Sequence, residues 1–203
     1  MKNFYNSYKS LLLEELENQQ KTAVVPGSFK PPHKGHYAMI KHYSEMVGPE
    51  GQVIVVISKP SAKAQRTTST GKVISPEVVE KIMRIYCENL PNVDVTIAPA
   101  SPVKFCYDIG EQVPSGILIF GCSKKDDDIK RFNPIKNYVE DKNPNIIVMD
   151  PVTTAVDVTE GSEGVVSASD FRRVFGDANK MAEFLPDHLN DGQKREVIQM
   201  LLN

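Results

Sequence analysis

Two histidines, His33 and His36, are the side chains best suited to chemistry, and they lie in a stretch that we call the first signature (residues 27–36). Its sequence is Gly27-Ser28-Phe29-Lys30-Pro31-Pro32-His33-Lys34-Gly35-His36. Histidines three residues apart share one face of a helix that begins near His33. The start of that helix is expected to leave backbone N–H groups free for a phosphate, and imidazoles also donate hydrogen bonds to phosphate oxygens. Gly35 leaves room for a nucleotide. The pattern predicts a phosphate site; the alternative is two solvated histidines at a helix start.

A second stretch of suitable residues, the second signature (residues 166–173), has the sequence Val166-Ser167-Ala168-Ser169-Asp170-Phe171-Arg172-Arg173. Ser167 and Asp170 have the spacing of a capping box, so a helix is predicted to begin here. Ser169 then lies in the first turn, and Arg172 follows on the same side. A hydroxyl group, an arginine guanidinium and free backbone amides together predict a binding site for β- and γ-phosphates. The alternative is a capped helix whose arginines are solvated.

Apolar runs alternate with helical patterns along the chain, and they predict the elements that must position both signatures. The predicted strands are Ala23–Val25, Val53–Ile57, Val93–Ile97, Ile117–Phe120 and Ile146–Met149. Helices are expected at 34–47, at 76–89 and from Pro102, and a partly irregular crossover is expected before the fifth strand. This alternation predicts an α/β fold with an open, parallel five-stranded sheet and helices on both faces. Ligands of such sheets bind beyond the carboxyl ends of the strands.

The length of 203 residues favours one domain with short appendages. We expect an α/β body at 21–175, an amphipathic helix before it at 1–20 and a helical segment after it, at 176–203, packed on the same body. Apolar residues at intervals of four favour a docked N-terminal helix, with a partner-binding helix as the alternative. Two long connections, 58–75 and 150–166, have the length of loops that often border a site.

Composition argues against several classes of protein. The formal net charge of −2 provides no basic field for nucleic acid, and no run approaches the roughly 20 apolar residues that span a bilayer. The N-terminus lacks the basic start and apolar run of a signal peptide. The three cysteines form no CxxC pair, which argues against disulfides and zinc. Neither a Walker loop nor a GxGxxG fingerprint is present. We expect a cytoplasmic protein that binds neither membrane nor nucleic acid, with small buried cysteines.

Together the two signatures resemble those of the HxGH nucleotidyltransferase superfamily, whose members include nicotinamide mononucleotide adenylyltransferases, phosphopantetheine adenylyltransferases and cytidylyltransferases. Residues 27–36 match the family's first motif, Gly-x-Phe-x-Pro-x-His-x-Gly-His, throughout. Residues 166–172 match the second, Ile-Ser-Ser-Thr-x-x-Arg, except that valine, alanine and serine replace its isoleucine, its second serine and its threonine. The resemblance extends over residues 22–175. It implies a Rossmann-like fold of the nucleotidylyltransferase type.

The resemblance implies a role for each signature. His33 and His36 would contact the α-phosphate as the phosphate of an acceptor attacks it. Ser169 and Arg172 would hold the departing phosphates, with Mg²⁺ bound between them as part of the nucleotide complex. The wider set of implied nucleotide- or phosphate-binding residues comprises Gly27, Ser28, Phe29, Lys30, Gly35, Gly121, Ser167 and Arg173.

Two loops add further candidates by the same resemblance. Lys63 and Arg66, in the connection after the second strand, are expected near the acceptor or the triphosphate. After the fourth strand, Gly121 is followed by a longer and more charged run than the family's short turn. The acidic residues 126–128 in that run are either magnesium ligands or a solvated turn, so no certain metal ligand is predicted.

The signatures predict a nucleotidyltransferase that binds a nucleoside triphosphate and passes its nucleotidyl group to a small phosphorylated acceptor, releasing pyrophosphate. Adenylyl transfer is favoured over cytidylyl transfer because the opening of the first signature, Phe29-Lys30-Pro31, is closer to the adenylyltransferases. The alternative is a nucleotide-binding or structural protein with weakened or lost catalysis. The start of the chain resembles leaders on proteins of large tailed phages, which implies a phage-encoded or virion setting. A homo-oligomer or a larger assembly is compatible with either hypothesis.

Overall fold

The structure is a computed structural model that describes residues 19–59, 67–124, 126–156 and 167–203, without the side chains of residues 126–128. The N-terminal helix expected at 1–20 lies outside the described residues except for its last two positions. Lys63 and Arg66 also lie outside them.

Five parallel strands form one sheet in the order β3-β2-β1-β4-β5. Their bounds are Lys21–Gly27 (β1), Gln52–Ile57 (β2), Val93–Ile97 (β3), Gly116–Phe120 (β4) and Ile146–Val148 (β5). The central strand β1 pairs with β2 on one side and with β4 on the other. The connections that leave β1 and β4 therefore diverge, and they create the crevice in which open sheets of this kind bind ligands.

Helices cover both faces of the sheet. They are Lys34–Val47 (α1), Pro76–Tyr86 (α2), Pro102–Gln112 (α3), Asp126–Lys142 (α4), Pro151–Thr154 (α5), Ala168–Arg173 (α6), Ala178–Ala182 (α7) and Asp191–Leu202 (α8). Serine caps begin α2 and α3, where the Ser75 and Ser101 side chains accept hydrogen bonds from Val78 N and Lys104 N. Each cap is followed by proline at the first helical position, as helix starts favour.

Each face of the sheet has its own hydrophobic core, and alternate residues of a strand belong to different cores because successive side chains point to opposite faces. Val25 and Val55 belong to the core beneath α1, α2 and the C-terminal helices. Val24 and Val56 belong to the core beneath α3 and α4. The sheet is therefore buried on both faces, which explains its nearly continuous apolar strands. The predicted fold class is confirmed.

The connection between β4 and β5 differs from the irregular crossover expected from the sequence. It is the 17-residue helix α4, which has Pro134 in its interior. The charged start and the proline obscure the helical pattern, but Phe132, Ile135 and Val139 are spaced along one face and are all buried. Burial of these three side chains against the sheet outweighs the low intrinsic helix propensity of the segment.

The C-terminal segment, 176–203, contains the two helices α7 and α8. Met181, Leu185 and Leu201 from this segment are each no more than 1% exposed and belong to the core that also contains Val25. The short helices α5 and α7 carry too few apolar residues to be predicted from periodicity. The three cysteines are free thiols, and all three are buried, as expected. Within the described residues, no helix is long and apolar enough to cross a membrane.

Replacing Gly116 with alanine is expected to lower the free energy of unfolding by about 2–3 kcal/mol, because backbone strain and a steric clash act together. Gly116 has a φ of 120°, and a Cβ atom there would lie 2.4 Å from the carbonyl oxygen of Gln20. Gly48 is a matched control, because its φ is 77° but an added Cβ meets nothing within 4 Å. We expect Gly48→Ala to cost about 1 kcal/mol. Urea unfolding measures both values, and equal losses would show that the Gln20 carbonyl moves aside freely.

Candidate active site

The loops that follow β1 and β4 lie side by side at the carboxyl edge of the sheet, because β1 and β4 are neighbouring parallel strands. The first signature begins with Gly27, the last residue of β1, and leads into α1. Gly121 is the first residue after β4, and its N–H donates to the carbonyl of Val24 at 2.7 Å. Two of the predicted site segments therefore meet at the point where the strand order diverges.

Phe29 determines the path of the first signature. It has a φ of 48°, a left-handed conformation that is uncommon for an aromatic residue, and it is only 3% exposed. A Cβ atom at Gly27 would lie 2.7 Å from the Phe29 ring. The ring also meets His36 edge to face, with centroids 5.0 Å apart. Gly27 is thus required by the packing of Phe29, and Phe29 in turn supports the His36 imidazole.

The two histidines lie together at the start of α1. His33 is the N-cap residue, and its ring stacks on that of His36 with centroids 3.6 Å apart. His36 Nδ1 accepts a hydrogen bond from the His33 backbone N–H at 3.3 Å. An acceptor at Nδ1 requires that a neutral His36 carries its hydrogen on Nε2. The local fold therefore sets the His36 tautomer so that Nε2 is a hydrogen-bond donor.

The amides of the first helical turn are not all available to a ligand, in contrast to the expectation from the sequence. Lys34 N–H donates to the carbonyl of Phe184 at 2.8 Å, and the N–H groups of His36 and Tyr37 donate to the His33 carbonyl at 2.9 and 3.3 Å. The Phe184 ring stacks on Phe171, with centroids 4.8 Å apart. The C-terminal segment therefore caps α1 and contacts the second signature at the same time.

The second signature forms a capped helix as predicted, apart from Val166, which lies outside the described residues. The Ser167 hydroxyl accepts from the Asp170 N–H at 3.1 Å and donates to Asp170 Oδ2 at 2.6 Å. Arg173 is on the exposed side, where it contacts Asp170 Oδ1 at 2.7 Å with 78% of its side chain exposed. Ser169 is exposed, and its hydroxyl faces Arg172. Ser167 is therefore occupied by the cap, and Ser169 and Arg172 are the residues placed together.

Arg172 joins the two signatures. Its Nη1 donates to the carbonyl oxygen of Lys30 at 2.6 Å, and its Nη2 donates to Ser169 Oγ at 2.9 Å. The guanidinium is a planar fork with several donors, so it can bind two oxygen atoms in fixed directions. The imidazoles, the Ser169 hydroxyl and the guanidinium therefore belong to one connected structure, although they come from opposite ends of the domain.

Lys30 contributes a buried cation to the first signature. The residue is 4% exposed. Burial lowers the pKa of its ammonium, and the nearby Glu77 carboxylate opposes that shift. A phosphate at this position would favour the charged form. Ser28 is half-buried in the loop after β1, and Gly35 is the second residue of α1, so both lie within the first signature.

Tyr43 holds the loop after β4 from beneath. Its hydroxyl accepts from Cys122 N–H at 3.0 Å, and its single hydrogen is shared between the carbonyls of Cys122 and Thr154, at 3.0 and 2.9 Å. A Cβ atom at Gly121 would lie 2.9 Å from the Tyr43 ring. Gly121 thus permits the close approach of Tyr43, which fixes the loop relative to α5. Burial raises the pKa of the Cys122 thiol to about 11, so this cysteine is neutral at pH 7.

Several positioning residues carry no signal in the sequence. The carbonyl of Phe184 is one of them, since any residue offers the same acceptor. Tyr86, at the end of α2, donates from its hydroxyl to the Pro32 carbonyl at 3.3 Å. A turn after β2 donates from Ser69 N–H to the Arg172 carbonyl at 3.2 Å. These contacts join segments that are distant along the chain, so local spacing does not indicate them.

The described residues include no group of three or more histidine, cysteine, aspartate or glutamate side chains that could coordinate a metal ion. The acidic residues 126–128 begin α4, and their side chains are outside the description.

A family model described as cytidylyltransferase-like matches residues 24–174, a span that contains residues 27–36 and 166–173. No curated protein matches the chain. Among solved structures, that of Plasmodium falciparum nicotinic acid mononucleotide adenylyltransferase complexed with NaAD is similar. The two structures superpose with a TM-score of 0.52 and share 12% sequence identity. The alignment covers 91% of this chain and 98% of the Plasmodium chain. At this identity the likeness concerns the fold.

Proposed function

The chain belongs to the cytidylyltransferase-like family, and from that premise we propose that it is a nucleotidyltransferase acting on a nucleoside triphosphate and a small phosphorylated acceptor. The observation that carries the proposal is the hydrogen bond from Arg172 Nη1 to the Lys30 carbonyl. It brings the hydroxyl and guanidinium of the second signature to the loop that ends in the two imidazoles. One polyphosphate chain can then contact both signatures.

The proposed reaction is an in-line transfer. A phosphate oxygen of the acceptor forms a bond to the α-phosphorus of the nucleotide, and the bond from that phosphorus to the β-phosphate bridging oxygen breaks. His36 Nε2–H donates to an α-phosphate oxygen as negative charge increases there. His33 supports it by stacking on its ring. The residues position the reactants and stabilise charge, and no covalent enzyme intermediate is formed.

The departing pyrophosphate is assigned to the second signature. Ser169 Oγ and Arg172 Nη2 are 2.9 Å apart, so one phosphate oxygen can replace or share that contact. A magnesium ion carried by the nucleotide would neutralise part of the charge on the leaving group. The Arg172 fork already holds the Lys30 carbonyl, so its orientation is set before a nucleotide binds.

ATP is the proposed nucleotide, and a mononucleotide or another small phosphate ester is the proposed acceptor. The preference for ATP rests on the Phe29-Lys30-Pro31 opening of the first signature. Two further cations of the connection after β2, Lys63 and Arg66, are proposed to contact the acceptor or the triphosphate.

The proposal is tested by pyrophosphate release from the full chain with magnesium, either ATP or CTP, and a panel of phosphorylated acceptors. The panel includes nicotinic acid mononucleotide, nicotinamide mononucleotide and phosphopantetheine. We expect release with ATP and one acceptor, and its loss in His36→Ala. If neither nucleotide gives release and neither raises the melting temperature, the proposal is wrong.

A second candidate function is a nucleotide-binding or structural protein without transferase activity, in a virion or another assembly. The observation that favours it is the hydrogen bond from the Lys34 N–H to the Phe184 carbonyl, because this N–H group is then not available to a phosphate. This candidate predicts that ATP raises the melting temperature while no acceptor in the panel yields pyrophosphate. Size-exclusion chromatography with light scattering then tests whether the protein is part of an oligomer.

A further inference from the structure

A compact turn follows β2 and contains the residue on which this inference rests, Lys72. An isolated antiparallel bridge joins Thr67 to Val73. Inside it, Thr68 N–H donates to the Lys72 carbonyl at 2.9 Å, and Lys72 N–H donates to Thr68 Oγ1 at 3.1 Å. Gly71 N–H also donates to the Thr68 carbonyl at 3.0 Å. Reciprocal hydrogen bonds therefore fix the backbone on both sides of Lys72.

This turn is attached to the second signature. Ser69 N–H donates to the Arg172 carbonyl at 3.2 Å, and Ser69 Oγ donates to the Phe175 carbonyl at 3.4 Å. The two contacts lie on either side of the end of α6. Lys72 is therefore held in a small, hydrogen-bonded turn whose neighbour is the residue that joins the two signatures.

The ammonium group of Lys72 is placed unusually. Its Nζ atom is buried and has no hydrogen-bond partner among the described residues, although the residue as a whole is partly exposed. Lysine normally does the opposite, burying its aliphatic stem and leaving the charged end in water. A buried ammonium without a partner has a large desolvation cost that only an anion or strong acceptors can offset. The described protein supplies no such group.

We propose that Lys72 is a further cation of the polyphosphate site, and that its ammonium binds an oxygen of the phosphates held by Ser169 and Arg172. This inference rests on the proposed function, because it assigns the turn after β2 to the leaving-group side of that site. The ligand class is a linear polyphosphate, either the β- and γ-phosphates of a nucleoside triphosphate or free pyrophosphate. Lys72 binds phosphate as a point charge, while Arg172 binds it with a directional fork.

The experiment compares Lys72→Met with Lys81→Met in the full chain. Methionine fills a similar volume without charge, and Lys81 is an exposed lysine on α2. Melting temperature without ligand and pyrophosphate affinity by calorimetry are measured for each, with magnesium. We expect Lys72→Met to melt at or above the wild-type temperature, because a buried, unpaired charge is removed. We expect its pyrophosphate affinity to fall at least about tenfold, the loss of one charge-assisted hydrogen bond. Lys81→Met should change neither value.

Opposite outcomes overturn the inference. A Lys72→Met protein that melts lower but keeps its pyrophosphate affinity would show that the ammonium has a structural partner. Lys72→Arg retains a cation and is expected to retain most of the affinity, so it also covers the case in which methionine impairs folding. Should the wild-type protein bind pyrophosphate and ATP without transferring a nucleotide, while Lys72→Met loses pyrophosphate affinity, Lys72 keeps its assignment and only the transferase proposal fails. If wild type and Lys72→Met bind pyrophosphate equally, the assignment of Lys72 fails and the transferase proposal stands.

Discussion

Replacing His36 with asparagine is expected to lower kcat for nucleotidyl transfer by about 10²–10³-fold, the usual effect of removing one donor to a developing oxyanion. Asparagine keeps an acceptor for the His33 N–H but does not reach the position of Nε2. Glutamine has the complementary property, since its amide N–H extends to that position and the acceptor at Nδ1 is lost. His36→Gln is therefore expected to retain activity within about tenfold of wild type, as judged from the loss of one ordinary hydrogen bond. Steady-state pyrophosphate release measures both values.

His42→Asn is the matched control for these variants, because His42 is an exposed histidine on the same helix. It should have the kcat of the wild-type protein. The melting temperature of all three variants shows whether the loop remains folded. If asparagine supports more activity than glutamine, the hydrogen bond to His33 N–H matters more than the Nε2 donor, and the role assigned to His36 changes from phosphate contact to loop support.

Replacing Arg172 with lysine is expected to lower kcat/KM by about 100-fold, although the charge is retained. Lysine cannot donate at the same time to the Lys30 carbonyl, to Ser169 and to a phosphate, because an ammonium lacks the planar fork of arginine. Each charge-assisted hydrogen bond contributes about 1.5–3 kcal/mol. The same change should lower the free energy of unfolding by about 1–3 kcal/mol, because the link between the signatures is also lost. Kinetics and urea unfolding of one protein preparation measure the two effects.

Arg195→Lys provides the comparison, since Arg195 is an exposed arginine on α8. Neither its kinetics nor its stability should change. Ser169→Ala removes only one partner of Arg172 and should have a smaller effect on both quantities. An Arg172→Lys protein of normal activity would mean that the guanidinium only connects the two segments and does not contact the substrate.

The sheet and the two signatures could be predicted from the sequence because their signals are local. The run 53–57 is continuously apolar, which is sufficient to indicate a strand buried on both faces. Ser75-Pro76 indicates the start of α2, because serine is a favoured N-cap residue and proline is favoured at the first helical position. The family match confirms the resemblance that the two signatures indicated. Helix α4 was missed because its apolar residues are separated by charges and by Pro134, so its helical form depends on packing against the sheet.

The support of the site could not be predicted, because it depends on backbone groups and on buried hydroxyls. Every residue has a carbonyl, so nothing in the type of residue 184 indicates a cap for α1. Tyr43 has the spacing of an ordinary core residue, and only the fold reveals that its hydroxyl holds the loop after β4. The amides of α1 were expected to be available because the sequence shows a helix start but not the segment that covers it.

The hydrogen bond between Lys34 N–H and the Phe184 carbonyl also has a consequence for the order of folding. The strands up to β4 can pair while the chain is still being synthesised, since β1 to β4 all precede residue 121. The first turn of α1 receives its cap only after residue 184 has been added, and the Phe171–Phe184 stack forms at the same stage. A nascent chain would thus contain most of the sheet before the first turn of α1 is capped, so the first signature acquires its final support only when residues 171 and 184 are both present.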